Sequence, residues 1–161
     1  MSYPPPVYHE ETGEVSATYR SGDSPPDLTY ASGGTAHYLA TGASTNGRFG
    51  LFRWNMSPTP GGATPHFHRS FSESFFVLSG TVRLYDGDSW RDGRPGDFVH
   101  VPAGGIHGFR NESGEPASML ILFAPGAPRE EYFEGLRHLA ELSEDEKADF
   151  FVRHDNLWLP S

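Results

Sequence analysis

The sequence contains no cysteine, and this absence excludes several kinds of site. A disulfide framework, a thiolate metal site and a cysteine nucleophile all require a thiol group. Any metal ion must therefore be bound by histidine nitrogens and by oxygen atoms. The eight histidines of the chain make such a site possible.

Basic charge and long apolar runs are also scarce. Twelve Lys and Arg residues stand against 21 Asp and Glu residues, which gives a formal net charge of -9. Nucleic acid and anionic membranes attract basic surfaces, so neither is expected as a partner. The longest apolar run, residues 119–124, is too short to cross a bilayer, and the start, MSYPPPVYHEETGEV, does not resemble a secretion signal. We therefore expect a cytoplasmic protein.

Glycine and aromatic residues are abundant instead, as is typical of short strands joined by tight turns. The chain has 19 glycines, 14 prolines and 14% aromatic residues. Turn sequences such as Asn46-Gly47 and Asp92-Gly93 separate short segments of alternating polarity. These features predict an all-β antiparallel barrel or sandwich. The predicted strands cover residues 37–40, 48–56, 74–84, 97–101, 108–111 and 117–123.

The chain length of 161 residues favours one domain with three parts. Residues 1–32 are rich in proline and serine and are expected to form an extended arm. Residues 33–125 are expected to form the β-barrel. Residues 126–161 are predicted to be helical, because an apolar stripe at 132–140 has helical spacing and Ser143 with Glu146 forms a capping box. The first helix is expected to pack on the barrel, although it could also cap the mouth.

Four residues have the types and spacing of a metal site. His66 and His68 are two residues apart, so in a strand both imidazoles lie on the same face. Glu73 follows after a stretch that is suited to turning into an adjacent strand. His107 follows a strand and a Pro-Gly turn. The pattern predicts that these side chains meet, with a polar core of hydrogen-bonded histidines or an empty site as the alternative.

Three imidazoles and one carboxylate suit a divalent transition metal. Fe, Mn, Ni, Co, Cu or Zn all accept such ligands, whereas Ca and Mg prefer oxygen. Four protein ligands leave coordination positions open on an octahedral ion, as a catalytic site requires. His100 falls at a different position in the alternation and is interpreted as solvated or as a neighbour of the site.

The inward faces of the strands predict an apolar interior that tolerates aromatic ligands. Plain core packing is the competing interpretation for each of these residues. On the strand of Glu73, Phe76 and Leu78 lie on the opposite face and are apolar, which predicts that a dimer contact or the N-terminal arm covers them. The candidate pocket residues are Phe52, Trp54, Phe75, Met119, Ile121 and Phe123.

The motifs around the four ligands resemble the two signatures of the cupin superfamily. The first signature is a glycine, His-x-His, Glu and a glycine, and the second is Gly, Pro-x-Gly, His and Asn. The leading glycine lies one residue closer to His66 than usual. The matching residues are Gly61 or Gly62, His66, His68, Glu73 and Gly80 for the first signature, and Gly96, Pro102, Gly104, His107 and Asn111 for the second.

This resemblance implies a single cupin barrel of the jelly-roll or double-stranded β-helix type. The chain is most similar to small single-domain cupins grouped with quercetinase, which implies a metal-dependent dioxygenase that cleaves an enol or flavonol-like aromatic substrate. Glu73 would then be both a metal ligand and the catalytic base. Dioxygen and a small aromatic or enolic molecule would be its partners, and a homodimer is expected. The alternatives are a non-redox isomerase, cyclase or lyase, and a small-molecule-binding cupin without catalysis.

Overall fold

A computed structural model describes residues 2–159 of the chain. Eleven strands and two α-helices are present in these residues, with a 3-10 helix, Leu136–Glu141, between the helices. The strands are β1 (Leu28–Thr29), β2 (Thr35–Ala40), β3 (Gly50–Met56), β4 (Gly61–Phe67), β5 (Ser72–Ser79), β6 (Val82–Tyr85), β7 (Trp90–Gly93), β8 (Phe98–Val101), β9 (His107–Asn111), β10 (Ala117–Ala124) and β11 (Leu157–Trp158). The helices are α1 (Arg129–Gly135) and α2 (Glu144–Arg153).

The strands form two antiparallel sheets. The first has the order β1-β2-β3-β10-β5-β8, and the second has the order β11-β4-β9-β6-β7. This arrangement confirms the predicted all-β jelly roll, although the sheets remain two open layers and do not close into one continuous barrel. Some neighbouring strands are distant in sequence, such as β3 and β10 in the first sheet and β11 and β4 in the second, so residues from distant parts of the chain meet in the core.

The core lies between the two sheets. Strand β10 illustrates its origin, because every second residue from Ala117 to Phe123 is buried and the intervening residues are partly exposed. Phe52 from β3 packs edge-on against Phe123, with ring centroids 5.7 Å apart. The alternation of the sequence thus becomes one apolar inner face.

The predicted segment 74–84 is two strands, β5 and β6, because the chain turns at Gly80. This glycine has a φ of +70°, and a Cβ atom on it would collide with the backbone oxygen of Pro116. Side chains other than glycine are strained at such angles. Strands β1, β4, β7 and β11 are additions to the predicted ranges. The spacing of His66 and His68 already indicated a strand at β4, whereas the other three have only two to four residues, too few to show a period.

The N-terminal arm does not cover the outer face of β5. Phe76 and Leu78 are 40% and 38% exposed, and Phe98, which lies opposite Phe76 on the edge strand β8, is 60% exposed. The N-terminal residues 2–27, in which the structure has no helix or strand, leave this face open.

The C-terminal part packs against the open end of the sheets. The capping box is present: the Ser143 hydroxyl accepts from the backbone N–H of Glu146, whose carboxylate accepts from the backbone N–H of Ser143. The predicted stripe at 132–140 spans α1 and the 3-10 helix, with Tyr132 and Phe133 buried. Among residues 2–159, no helix has the length and apolar character that crossing a membrane requires.

Candidate metal centre

Strand pairing brings the three predicted histidine ligands together. His66 lies on β4 and His68 directly after it, and His107 on β9 is the register partner of His66. The His66 and His107 ring centroids are 4.4 Å apart, and those of His66 and His68 are 4.9 Å apart. All three side chains are buried.

Glu73 reaches the histidines from the facing sheet. It lies on β5, which does not pair with β4, so the expected adjacent strand is in fact a strand across the core. Its Oε2 atom lies 2.9 Å from His68 Nε2 and 2.8 Å from His107 Nε2. The candidate ligand atoms of the four residues all lie within 4.8 Å of one another.

Backbone carbonyls orient the three imidazole rings. The Nδ1 atom of His66 lies 2.8 Å from the Thr64 oxygen, and that of His107 lies 2.9 Å from the Gly105 oxygen. His68 Nδ1 contacts the backbone oxygen of Asp155. Because a carbonyl oxygen only accepts hydrogen bonds, each Nδ1 carries a proton, and each Nε2 points to the centre of the cluster. There an Nε2 that carries a second proton donates to Glu73, and a deprotonated Nε2 can bind an ion, as is usual for metal-binding histidines.

The electrostatics of the cluster favour a bound cation. Burial lowers the pKa of His66 to about 4, and the nearby His107 adds to this effect. For Glu73, burial alone would raise the pKa, but the hydrogen bonds from His107 and His68 outweigh it and hold the pKa far below its usual value. For His107, burial acts to lower the pKa, but the hydrogen bond with Glu73 outweighs it and raises the pKa. A buried carboxylate therefore faces imidazole nitrogens, and this donor set fits a divalent transition-metal ion.

A cavity of about 350 Å³ lies next to the cluster. His66 and Glu73 are among its lining residues, so two of the candidate ligands border the cavity. Its walls are mainly apolar and aromatic, as in many small-molecule sites. The aromatic lining residues are Tyr30, Trp54, Phe109, Tyr132, Phe133, Phe151 and Trp158.

Two of the six candidate pocket residues, Trp54 and Ile121, line this cavity. Phe52, Phe75, Met119 and Phe123 do not line it and are fully buried core residues instead. They share the inward face, but other side chains cover them: the Phe133 ring packs on Phe52 and Phe123, at centroid distances of 5.1 and 6.2 Å. The alternation of the sequence predicts which side chains point inward, but not which of these border the cavity and which are packed in the core.

Several cavity residues come from segments to which the sequence analysis gave no site role. Arg129 and Phe133 belong to α1, and Asn156 and Trp158 belong to the segment that returns to pair with β4. One signal was available, because Arg129 shares the helical stripe of Tyr132 and Phe133. A cation on an apolar stripe indicates a special environment. The two-residue strand β11 has no comparable signal.

Two residues of the second signature region lie outside the cluster. His100 is exposed, and its Nδ1 lies 2.9 Å from the Ser74 hydroxyl. Asn111 is buried, and its amide donates to the backbone oxygens of Ser57 and Glu115 at 2.9 and 2.7 Å. Asn111 therefore holds the loops of Ser57 and Glu115 in place.

A family model described as a cupin domain matches residues 52–123. This range contains all four candidate ligands and most of both sheets. The chain belongs to the cupin superfamily. The four residues of the observed cluster are the ligand positions of the two signatures of this cupin, and all four lie within the matched range.

The similar proteins cover several activities. The chain is 30% identical over 120 residues to quercetin 2,3-dioxygenase of Bacillus subtilis, which covers 71% of this chain and 33% of that protein. It is 27% identical over 108 residues to auxin-binding protein 1 of Arabidopsis thaliana, which covers 62% and 54% of the two chains. The chain spans one third to about half of the length of the curated relatives it matches.

Among solved structures, this cupin is similar to the polyketide cyclase RemF from Streptomyces resistomycificus. The identity is 25%, the TM-score is 0.56, and the match covers 70% of this chain and 82% of the cyclase.

Proposed function

We propose that this cupin is a metal-dependent dioxygenase that cleaves an enolic or flavonol-like aromatic substrate. One observation carries the proposal: Glu73 and His66, two members of the four-residue cluster, line a cavity with aromatic walls. A planar substrate that enters this cavity would meet a buried carboxylate and the face of the metal site at the same point.

His66, His68, Glu73 and His107 would hold the ion. The bound ion would supply Lewis acidity, and a redox-active metal such as iron would also supply electron transfer. Glu73 would accept the proton of the substrate's enolic hydroxyl, because its carboxylate lines the cavity that the substrate enters, and an ion beside it would make that hydroxyl more acidic. The surrounding rings, including Trp54 and Phe133, would stack on the substrate and keep water from the reacting carbon atoms.

The similarity to a quercetin 2,3-dioxygenase supports this choice of reaction. The proposal needs no residue from outside the chain, because cluster and cavity both lie within residues 2–159.

Oxygen uptake by metal-loaded protein tests the proposal. The metal content of the purified chain is first measured by elemental analysis, and the protein is loaded with each candidate ion. Flavonols, catechols and β-diketones are then supplied in an oxygen-electrode cell. We expect oxygen consumption with ¹⁸O from labelled dioxygen in the cleaved product, and abolished turnover in Glu73→Gln with metal still bound. Failure of every loaded form to consume oxygen or change the substrate spectrum would refute it.

Cyclisation is the second candidate, favoured by the similarity to a polyketide cyclase. The same residues would serve, with Glu73 moving a proton and no dioxygen consumed. Turnover under argon with no gain of oxygen mass in the product would support cyclisation over oxidation.

We also propose that the chain forms a homodimer through the exposed face of Phe76, Leu78 and Phe98. These three side chains lie next to one another at the β5–β8 edge of the first sheet. Large exposed apolar side chains in one place are typical of interaction surfaces. Light scattering should give twice the chain mass for the wild type and one chain mass for Phe98→Glu. A monomeric wild type at micromolar concentration contradicts this proposal.

A further inference from the structure

Arg129 is a buried cation beside the candidate metal centre. It begins α1, is 4% exposed and lines the same cavity as Glu73 and His66. Its guanidinium carbon lies 3.9 Å from the centroid of the Tyr132 ring and 5.1 Å from that of Phe123. Burial lowers its pKa, but a guanidinium remains charged at any physiological pH. The cavity therefore contains a fixed positive charge.

No carboxylate among residues 2–159 forms an ion pair with Arg129. Its two hydrogen bonds go to neutral acceptors: Nη1 donates to the His154 backbone oxygen at 2.8 Å, and Nη2 donates to Asn156 Oδ1 at 3.2 Å. Its Nε atom is buried without a partner. The charges of Glu73 and Asp155 raise its pKa from beyond ion-pair distance, but a buried charge with no directly paired counter-ion is rare in proteins, because desolvation costs it several kcal/mol.

Asn156 supplies a second unused donor at the same place. It is 1% exposed and lines the cavity. Because Arg129 can only donate, the oxygen of the Asn156 amide faces it, and this fixes the amide orientation. The remaining Nδ2 atom is buried without a partner. Two neighbouring side chains thus each hold a buried N–H group that no protein atom satisfies.

We propose that Arg129 and Asn156 form an anion subsite that binds a carboxylate group of the substrate. A carboxylate has two oxygen atoms that only accept, which matches two unused donors, and its charge neutralises the guanidinium. The proposal rests on the proposed function for the position of the reacting part of the substrate over Glu73 and His66. It narrows the substrate class to aromatic or enolic acids. An ion in the cluster would offset the charge of Glu73 and increase the preference for an anion.

Binding of a matched pair of probes tests the subsite. The pair is 2-naphthoate and 2-naphthamide, which have the same shape and differ in charge. Calorimetry is performed on protein loaded with Zn²⁺, which has no redox chemistry, so that no oxidation occurs. We expect the wild type to bind the acid about 10- to 100-fold more tightly than the amide, the range given by charged hydrogen bonds.

Three variants separate the subsite from the metal. Arg129→Gln should remove the preference for the acid. Asn156→Asp should also remove it, because a carboxylate of nearly the same size would pair with Arg129; this variant decides the test if Arg129→Gln does not fold. The control is Arg137→Gln, an exposed arginine of the same C-terminal part, which should keep the preference.

The outcomes distinguish this inference from the proposed reaction. A preference that survives in both Arg129→Gln and Asn156→Asp would mean that the metal ion selects the acid, and it would overturn the subsite. Equal binding of both probes to the wild type would also overturn it. Because the probes are not turned over, a charge preference that depends on Arg129 supports the subsite even if no oxygen uptake is ever found.

Discussion

Asp155 holds His68 from the far end of the chain. Its backbone oxygen lies within hydrogen-bond distance of His68 Nδ1, and its carboxylate accepts from the backbone N–H groups of Arg69 and Ser70 and from the Ser70 hydroxyl. One residue thus fixes both the ring of a candidate ligand and the loop that carries it. Such partners of metal ligands affect metal affinity although they do not touch the ion.

Asp155→Asn should weaken both stability and metal binding. Asp155 has a φ of +55°, a conformation that asparagine also tolerates, so the variant tests the charge and not the backbone. Loss of the charged acceptor should lower the free energy of unfolding by about 1–2 kcal/mol. Metal affinity should fall up to about 10-fold. Urea unfolding and metal titration measure the two effects, with the exposed Asp149→Asn as the control. Equal behaviour of the two variants would contradict this role.

The stabilisation by Asp155 should depend on pH in one direction. Burial acts to raise its pKa, but the hydrogen bonds from Ser70 and Arg69 outweigh burial and lower the pKa below its ordinary value. A group whose pKa is lower in the folded state stabilises the protein above its unfolded pKa, about 3.9, and loses this effect as the pH falls. The stability difference between wild type and Asp155→Asn should therefore be constant above about pH 5 and shrink below about pH 4. An unchanged difference at pH 3 would contradict it.

Metal removal should lower the melting temperature of the wild type. An ion present at 100 times its dissociation constant stabilises the folded state by about 2.7 kcal/mol. We expect a chelator to remove this stabilisation and added ion to restore it. His107→Ala should show no such shift. Mutation of residues that only hydrogen-bond to metal ligands weakens metal binding about 10- to 100-fold, and loss of a ligand itself should weaken it more. Equal shifts in both proteins would place the ion elsewhere.

Gly80→Ala should be more destabilising than Gly96→Ala. Both glycines have positive φ angles, +70° and +96°, so both substitutions strain the backbone by about 1–2 kcal/mol. Only at Gly80 would the added Cβ collide with neighbouring backbone, whereas nothing lies within 4 Å at Gly96. The expected loss at Gly80 is about 3 kcal/mol or more. Chemical denaturation of the pair measures the difference, and equal losses would show that the collision is relieved.

Phe133→Ala should destabilise the fold and leave the metal centre intact. The Phe133 ring packs on Phe52 and Trp54, each at a centroid distance of 5.1 Å, and its removal should cost about 3–5 kcal/mol. Metal affinity should stay within about 3-fold, because the ring packs on Phe52 and Trp54 and not on the rings of the three candidate histidines. Val152→Ala is the exposed control, with an expected change below about 0.5 kcal/mol. A parallel loss of metal would show that α1 also supports the cluster.

Features that depend on local sequence patterns could be predicted, whereas features that depend on packing between distant segments could not. His66, His68, Glu73 and His107 could be identified from spacing because strand geometry and two motifs constrain them locally. Gly80 separates the apolar residues of β5 from those of β6, and its need for glycine comes from a positive φ and from the closeness of Pro116, which is distant in sequence. Arg129 and Asn156 reach the cavity through tertiary packing of the C-terminal part, which no local period encodes. The sequence therefore predicts the candidate ligands better than the walls around them.

The C-terminal tail, which ends in strand β11, supplies cavity walls but none of the candidate metal ligands. The region shared with other cupins, residues 52–123, contains every candidate ligand, whereas Arg129, Asn156 and Trp158 arrive on a tail outside it. The tail also supports two of the ligands, because Asp155 orients His68 and the Trp158 ring packs on His66, so an exchange of the tail would change metal affinity as well. A graft of residues 124–159 onto another metal-binding cupin should transfer the binding preference for carboxylic acids, while the recipient keeps its own reaction type.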